Sequence, residues 1–139
     1  MTITQLSVFL DNTPGALHEV ADVLKSNGID IRALSLADTT DFGVLRLIVD
    51  DTDRAYGSLK AHGFTVSKNR VIGISVADTP GGLEVPLNIL NNAGLVVEYI
   101  YAFIGKNEDS ACVILRADDT DKALKLLSEN GTKLLDGVV

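Results

Sequence analysis

Hydrophobic positions recur with two different periods near the start of the chain, first that of a strand and then that of a helix. Leu6, Val8 and Leu10 alternate with other residues, which predicts a strand with one apolar face. The next apolar positions recur at helical spacing, and they are Leu17, Val20, Ala21 and Leu24. This spacing predicts a helix, and Gly28 marks its end because glycine is the common residue just past a helix C-terminus.

Two more strands and a second helix complete the first pattern. Apolar runs predict strands near residues 29–37 and 43–49. The second helix begins at the acidic segment 50–53, whose side chains can accept hydrogen bonds from first-turn N–H groups, and it ends at Gly63. A short strand near 64–67 follows. The order β-α-β-β-α-β is that of the ferredoxin-like fold.

The second half of the chain repeats this order, beginning with a strand at Ile72, Ile74 and Val76, and it repeats several residues of the first half. The phrase Asn12–Leu17 (NTPGAL) returns as Asp78–Leu83 (DTPGGL), again between a strand-like and a helix-like run. The acidic segment Asp50–Asp53 returns as Asp118–Asp121. The sequence therefore predicts an α+β protein of two ferredoxin-like βαββαβ domains, 1–68 and 69–139. Halves of this size have marginal cores, so we expect them to pack together or to oligomerise.

Composition and charge narrow the functional class. Of 139 residues, 46% are hydrophobic and 22% are charged, as in ordinary folded proteins. A net charge of −7 argues against nucleic acids and anionic membranes as partners. No stretch resembles a signal peptide or a membrane span. The single cysteine, Cys112, fits a reducing compartment, and we expect a cytoplasmic protein.

The repeated turn has a chemistry suited to a small zwitterion. Pro14 is predicted at the first helical position, and Gly15 leaves the approach to the helix end open. The N–H groups of residues 15–17 would then face an anion such as a carboxylate. Asp11 or Asn12 could accept a hydrogen bond from an α-ammonium group. A plain Pro-Gly helix start, without any ligand, is the competing interpretation.

The repeated phrase, the segment Gly28–Ile31 (GIDI) and the apolar second strand together resemble the ACT domain. The resemblance covers nearly the whole chain, which is similar to a freestanding pair of such domains, and it implies that the two domains pack side by side. ACT domains are regulatory modules that bind amino acids. The resemblance thus implies a non-enzymatic amino-acid sensor without a cofactor, with a regulated enzyme as a possible partner.

The resemblance also implies two ligand pockets, each between the turn of one repeat and the second strand of the other. The first would contain Asp11, Asn12, Thr13, Pro14, Gly15, Ala16 and Leu17 with Tyr99, Ile100 and Tyr101. The second would contain Asp78, Thr79, Gly81, Gly82 and Leu83 with Leu34, Ser35 and Leu36. Tyr99, Tyr101 and Phe103 share one strand face. They either fill a core or an interface, or they shape a pocket for a larger, aromatic or imidazole side chain.

The second repeat departs from the first at Pro86, where the first has Val20. A proline beyond the first helical position removes a helical hydrogen bond. We therefore predict a late start or a kink in that helix and a looser segment at Gly81 and Gly82. The first pocket is favoured if only one is occupied.

The third strands of the two repeats predict a homodimer. Their helix-facing positions form one apolar set, Leu45, Leu47, Val49, Val113, Leu115 and Ala117. The opposite face carries Val44, Arg46, Ile48, Cys112, Ile114 and Arg116, with Phe9 nearby. That face is too apolar to be left in water, so we expect it to stack on a second sheet.

No arrangement of residues indicates catalysis or a metal site. His18 and His62 are isolated from other ligating residues, although His18 could reach a ligand at the first turn. Cys112 is interpreted as a buried structural thiol, and the repeated aspartates as helix caps. Besides the sensor, two classes stay open, namely an interaction or scaffolding module with vestigial pockets and a small enzyme of unfamiliar type.

Overall fold

The computed structural model describes residues 1–38, 41–103 and 109–137, so residues 138 and 139 of the predicted second domain lie outside it. Two compact units divide between Asn69 and Arg70, and residues 1–3 group with the second unit. The elements are β1 (Ile3–Asp11), α1 (Ala16–Ser26), β2 (Ile31–Asp38), β3 (Phe42–Val49), α2 (Thr52–Ala61), β4 (Thr65–Ala77), α3 (Glu84–Asn92), β5 (Val97–Phe103), β6 (Ser110–Ala117), α4 (Thr120–Glu129) and β7 (Lys133–Leu135). The α+β fold with two βαββαβ repeats is confirmed.

In the first unit, antiparallel strands run in the order β2-β3-β1, with β4 beside β1. Leu6 lies opposite Leu47, and Leu10 opposite Gly43. The predicted face of β1 and the predicted inner face of β3 both join the core beneath the helices. Each alternate residue of these strands therefore packs as the period of two predicts.

The second unit repeats this arrangement with the order β7-β4-β6-β5. Ile74 lies opposite Val113, and Ile72 opposite Leu115. These residues join Leu90, on α3, in a second core. Each unit thus has its own hydrophobic centre, as expected of a domain.

β4 differs from the sequence prediction. The apolar patterns predict one short strand near 64–67 and another at Ile72–Val76, whereas β4 is one strand of 13 residues. The intervening residues 68–70 (Lys-Asn-Arg) are polar but include neither glycine nor proline, so nothing local interrupts the extended backbone. The division between the units falls inside this strand.

The duplicated aspartates act as the caps that the sequence predicts. Asp51 accepts a hydrogen bond from the N–H of Arg54 at 3.2 Å, and Asp119 accepts one from Lys122 at 3.1 Å. Asp50 makes a different contact. Its carboxylate accepts a hydrogen bond from the N–H of Asp30 at 2.9 Å and so fixes the chain before β2. The duplicated aspartates therefore satisfy backbone N–H groups, and no cation is needed to explain them.

A salt bridge joins the start of each second helix to β4. The Lys68 ammonium lies 2.6 Å from a carboxylate oxygen of Asp53, and Arg70 lies 3.1 Å from Asp121. The hydrogen bond and charge of Lys68 hold the pKa of Asp53 below its usual range. Both pairs are solvent-exposed, so they contribute little to stability.

Burial corrects the predicted environment of several side chains. The buried face of α1 consists of Val20, Val23 and Leu24, whereas Leu17, at 44%, and Ala21, two of the predicted positions, are exposed. Cys112 is half-buried, so it is not the fully buried thiol that we expected. Ile48 and Ile114, on the outer face of the third strands, are buried in the single chain, and the homodimer stays a prediction.

Within the described ranges, no helix is long and apolar enough to cross a membrane. The described residues also contain no group of three or more His, Cys, Asp or Glu side chains arranged to hold a metal ion.

Candidate functional site

The repeated Thr-Pro-Gly phrase forms a turn that precedes the helix. Gly15 has φ 87° and ψ −6°, and the N–H of Ala16 donates to the carbonyl of Thr13 at 3.3 Å. These are the features of a type II turn, which needs φ > 0 at its third residue and favours proline at its second. Pro14 therefore lies in the turn, and our assignment of it to the first helical position was wrong.

This turn decides which N–H groups at the helix end are available. The turn itself uses the N–H of Ala16, which the sequence prediction had left open to a ligand. The N–H groups of Gly15, Leu17 and His18 have no hydrogen-bond partner among the residues that the structure describes. Glu19 donates the first helical bond, to Gly15 at 2.9 Å. Three donors at the positive end of α1 thus remain for a ligand.

The second repeat has the same turn but a later helix, as predicted. Gly81 has φ 85°, and the N–H of Gly82 donates to Thr79 at 3.0 Å. α3 begins only at Glu84, two residues after the position that corresponds to Ala16. Pro86 consequently lies in the first helical turn, where its missing N–H would have had no helical partner. The late start is the way the chain accommodates this proline.

A cavity of about 640 Å³ opens beside the turn of the first unit. The last residues of β1 and the turn form one wall, and the segment between α2 and β4 forms another. The lining residues are Phe9, Leu10, Asp11, Thr13, Pro14, Gly15, Ala16, Glu19, Phe42, His62, Gly63, Phe64 and Thr65. We call this space the first cavity; its size is in the range of small-molecule sites.

The second unit has a cavity of about 460 Å³ in the corresponding place. Its lining residues, which define the second cavity, are Ser75, Val76, Ala77, Thr79, Pro80, Gly81, Gly82, Val85, Pro86, Asn130, Gly131, Thr132 and Lys133. Nearly every position of the first cavity recurs here, shifted by the repeat. Equivalent segments of two independently packed units therefore leave an opening at the same place.

The predicted turn residues divide between those that line a cavity and those that do not. Asn12 lies outside the lining set, and its side-chain amide donates to the Asp38 carboxylate at 3.0 Å. Leu17 also lies outside the lining set and is 44% exposed. In the second unit, Asp78 donates its N–H to Asp109, and Leu83 is the residue before α3.

The predicted second-strand residues line neither cavity. Leu34, Ser35 and Leu36 lie on β2, and Tyr99, Ile100 and Tyr101 lie on β5. Tyr99, Tyr101 and Phe103 pair with residues on the outer face of β6, so they do not belong to the core beneath the helices. Their pairing with the turn of the other repeat stays a prediction.

The sequence prediction missed the second wall of the first cavity. His62 and Phe64 flank Gly63, which the sequence pattern identifies only as a helix end, and no sequence feature indicates a role for Glu19. His62 is isolated from other ligating residues in the sequence, yet it lines the cavity, whereas His18 does not. The predicted βαββαβ order could have indicated this second wall, because in that topology β1 and α2 end at the same end of the sheet.

Comparisons with known proteins agree with this architecture. The family model described as "ACT domain pair" matches residues 1–137. The solved structure of protein BT0572 from Bacteroides thetaiotaomicron is 41% identical, with a TM-score of 0.91 over 97% of this chain and 92% of that one. The ligand-free regulatory subunit of aspartate kinase from Thermus thermophilus shares the fold at 17% identity and a TM-score of 0.66, over 92% of each chain. The corresponding subunit from Thermus flavus is similar at 17% identity and 0.63, over 91% of this chain and 90% of that one. No curated protein sequence gives a significant match.

Proposed function

The chain belongs to the ACT-domain family as an ACT domain pair, and from this premise we propose that it is an amino-acid-binding regulatory protein. Its family is one of regulatory modules, and the proposal includes no catalytic activity. The ligand is held at a β1–α1 turn, with its α-carboxylate on the free N–H groups of the helix. We propose that the first unit provides the principal site.

The observation that supports this proposal best is the set of backbone N–H groups without partners at the N-terminus of α1. Gly15, Leu17 and His18 present N–H groups without partners in the described part of the chain, and Gly15 with its neighbours lines a cavity. Donors and the helix dipole together favour a carboxylate. Asp11 lines the same cavity, and in this proposal its carboxylate accepts hydrogen bonds from the α-ammonium group. One free amino acid would satisfy both.

Amide chemical shifts of the full chain test the proposal. The 15N-labelled protein is titrated with each of the twenty amino acids, and a true ligand is expected to shift the N–H resonances of Gly15, Leu17 and His18 first. Gly57, exposed on α2 and outside both cavities, is the internal control. The same ligand should raise the melting temperature, because it binds the native state only.

Two results would contradict this function. Either no amino acid shifts any resonance at millimolar concentration, or the shifts cluster away from both β1–α1 turns. The first result would leave the chain without an amino-acid-binding role, and the second would move the site.

The partner of such a sensor is proposed by analogy. Two of the similar structures are regulatory subunits of aspartate kinase, so we propose an enzyme as the regulated partner.

We also propose that the protein is a cytoplasmic homodimer. Gel filtration with light scattering that gives the mass of a monomer would contradict the dimer.

An interaction module is the second candidate, because apolar side chains are exposed on edge strands. On β2, Leu34 and Leu36 are 53% and 48% exposed, and on β5, Ile100 is 39% exposed. Such residues are typical of surfaces that meet another protein. Replacing Leu34 with Lys would abolish association in this case and leave amino-acid binding at the turn of the first unit, whose predicted pocket does not include Leu34, unchanged.

A further inference from the structure

The two cavities use equivalent positions but carry different charges. The first contains two carboxylates, Asp11 and Glu19. The corresponding positions of the second are Ala77 and Val85, and it gains a cation at Lys133. Neither carboxylate of the first cavity has an ion pair or a side-chain hydrogen bond to any residue in the described ranges. Two carboxylates that line one opening favour a cationic ligand there.

Aromatic rings distinguish the first cavity as well. The rings of Phe9 and Phe42 lie 5.8 Å apart between centroids, and each residue is 40% exposed. Phe64, which is half-buried, adds a third ring to the lining. The second cavity has Ser75 and Thr132 at the positions of Phe9 and Phe64. Aromatic faces attract ammonium and guanidinium groups, and partial exposure leaves them accessible to a ligand.

From this contrast we infer that the first cavity binds an amino acid whose side chain is cationic, with an ammonium or guanidinium group. The α-carboxylate meets the N–H groups of Gly15 and Leu17. The two cationic groups meet Asp11 and Glu19, and the aliphatic stem lies along the phenylalanine rings. The second cavity, with Lys133 and no carboxylate among its described lining residues, rejects the same ligand. The inference rests on the proposed function, since it specifies the ligand of that site.

Charge-matched ligands test the inference directly. Isothermal titration of the full chain compares lysine with norleucine, and arginine with citrulline, so that each pair differs in the side-chain charge. We expect lysine or arginine to bind at least about tenfold more tightly than its neutral counterpart, the effect of one charge-assisted contact. The preference should weaken as salt is raised.

Variants identify the carboxylate responsible. Glu19→Gln keeps the size of the side chain and should reduce the affinity for the cationic ligand about tenfold, with norleucine unaffected. Asp22→Asn is the matched control, because Asp22 is an exposed α1 carboxylate outside the cavity. Circular dichroism checks that both variants are folded.

The possible outcomes separate this inference from the proposed function. Binding of neutral amino acids that Glu19→Gln leaves unchanged would overturn the inference and keep the function. An equal loss in Asp22→Asn would also overturn it, because a general charge effect would then explain the preference. Absence of binding by all twenty amino acids would overturn both.

Discussion

Gly82→Ala is the substitution for which the structure makes the sharpest stability prediction. A Cβ atom built on Gly82 would lie 2.0 Å from the carbonyl oxygen of Ala77 and 3.2 Å from that of Thr79. Both obstacles are backbone atoms, which cannot rotate away. The corresponding position in the first repeat is Ala16, which begins α1 and tolerates its methyl group. The late start of α3 thus creates a requirement for glycine that the first repeat does not have.

The expected cost can be estimated from that overlap. Contact at 2.0 Å forces a backbone shift of roughly 1 Å or more, and overpacking of this kind costs about 3 kcal/mol. For a chain of this size, the loss corresponds to a fall in melting temperature on the order of 10 °C. The effect should appear in the transition of the second unit.

Two other glycines separate this contact from general effects of adding a methyl group. Gly81 has nothing within 4 Å of its Cβ position but has φ 85°, so Gly81→Ala should cost about 1–2 kcal/mol through backbone strain alone. Gly57 is inside α2 in open space, so Gly57→Ala should stabilise the chain by about 0.5–1 kcal/mol. The predicted order of stability is Gly57→Ala, wild type, Gly81→Ala, Gly82→Ala.

Differential scanning calorimetry is the appropriate assay, because it resolves separate transitions of two units where they occur. The reasoning is refuted if Gly82→Ala melts at or above the temperature of Gly81→Ala. That result would mean that the turn relaxes without cost and that the late helix start does not dictate the glycine.

Two further predictions concern the acidic caps. Asp51→Ala and Asp119→Ala should each lower the free energy of unfolding by about 1 kcal/mol in urea titrations, because each removes a helix cap. Asp51→Asn should cost little, because asparagine also caps helices. Equal losses in Asp51→Ala and Asp51→Asn would contradict capping. Because Lys68 lowers the pKa of Asp53, this pair stabilises the chain above the unfolded-state pKa, and its contribution is lost as pH falls through the folded-state pKa. Lys68→Met should therefore raise the pKa of Asp53 toward its usual value in a carboxyl NMR titration, and an unchanged pKa would rule out this cause.

The amino-acid sequence by itself determined the plan of the fold. Alternation in Leu6, Val8 and Leu10 identified a core face because successive strand residues point to opposite sides. Asp51 and Asp119 were recognisable as caps, since a capping side chain bonds to a backbone group only a few residues away. Pro86 predicted the late start of α3 for the same local reason. Each of these interactions joins residues that are close along the chain.

Only the tertiary structure decided what surrounds the repeated turn. His62 and Phe64 reach the first cavity because α2 ends at the same end of the sheet as β1, a proximity that follows from the topology of the fold and not from the spacing of residues along the sequence. The Thr-Pro-Gly phrase fits both a helix start and a type II turn, and the bond from Ala16 to Thr13 selects the turn. Local rules thus fixed the helices, strands and caps, whereas the lining and charge of the cavities depended on packing between distant segments.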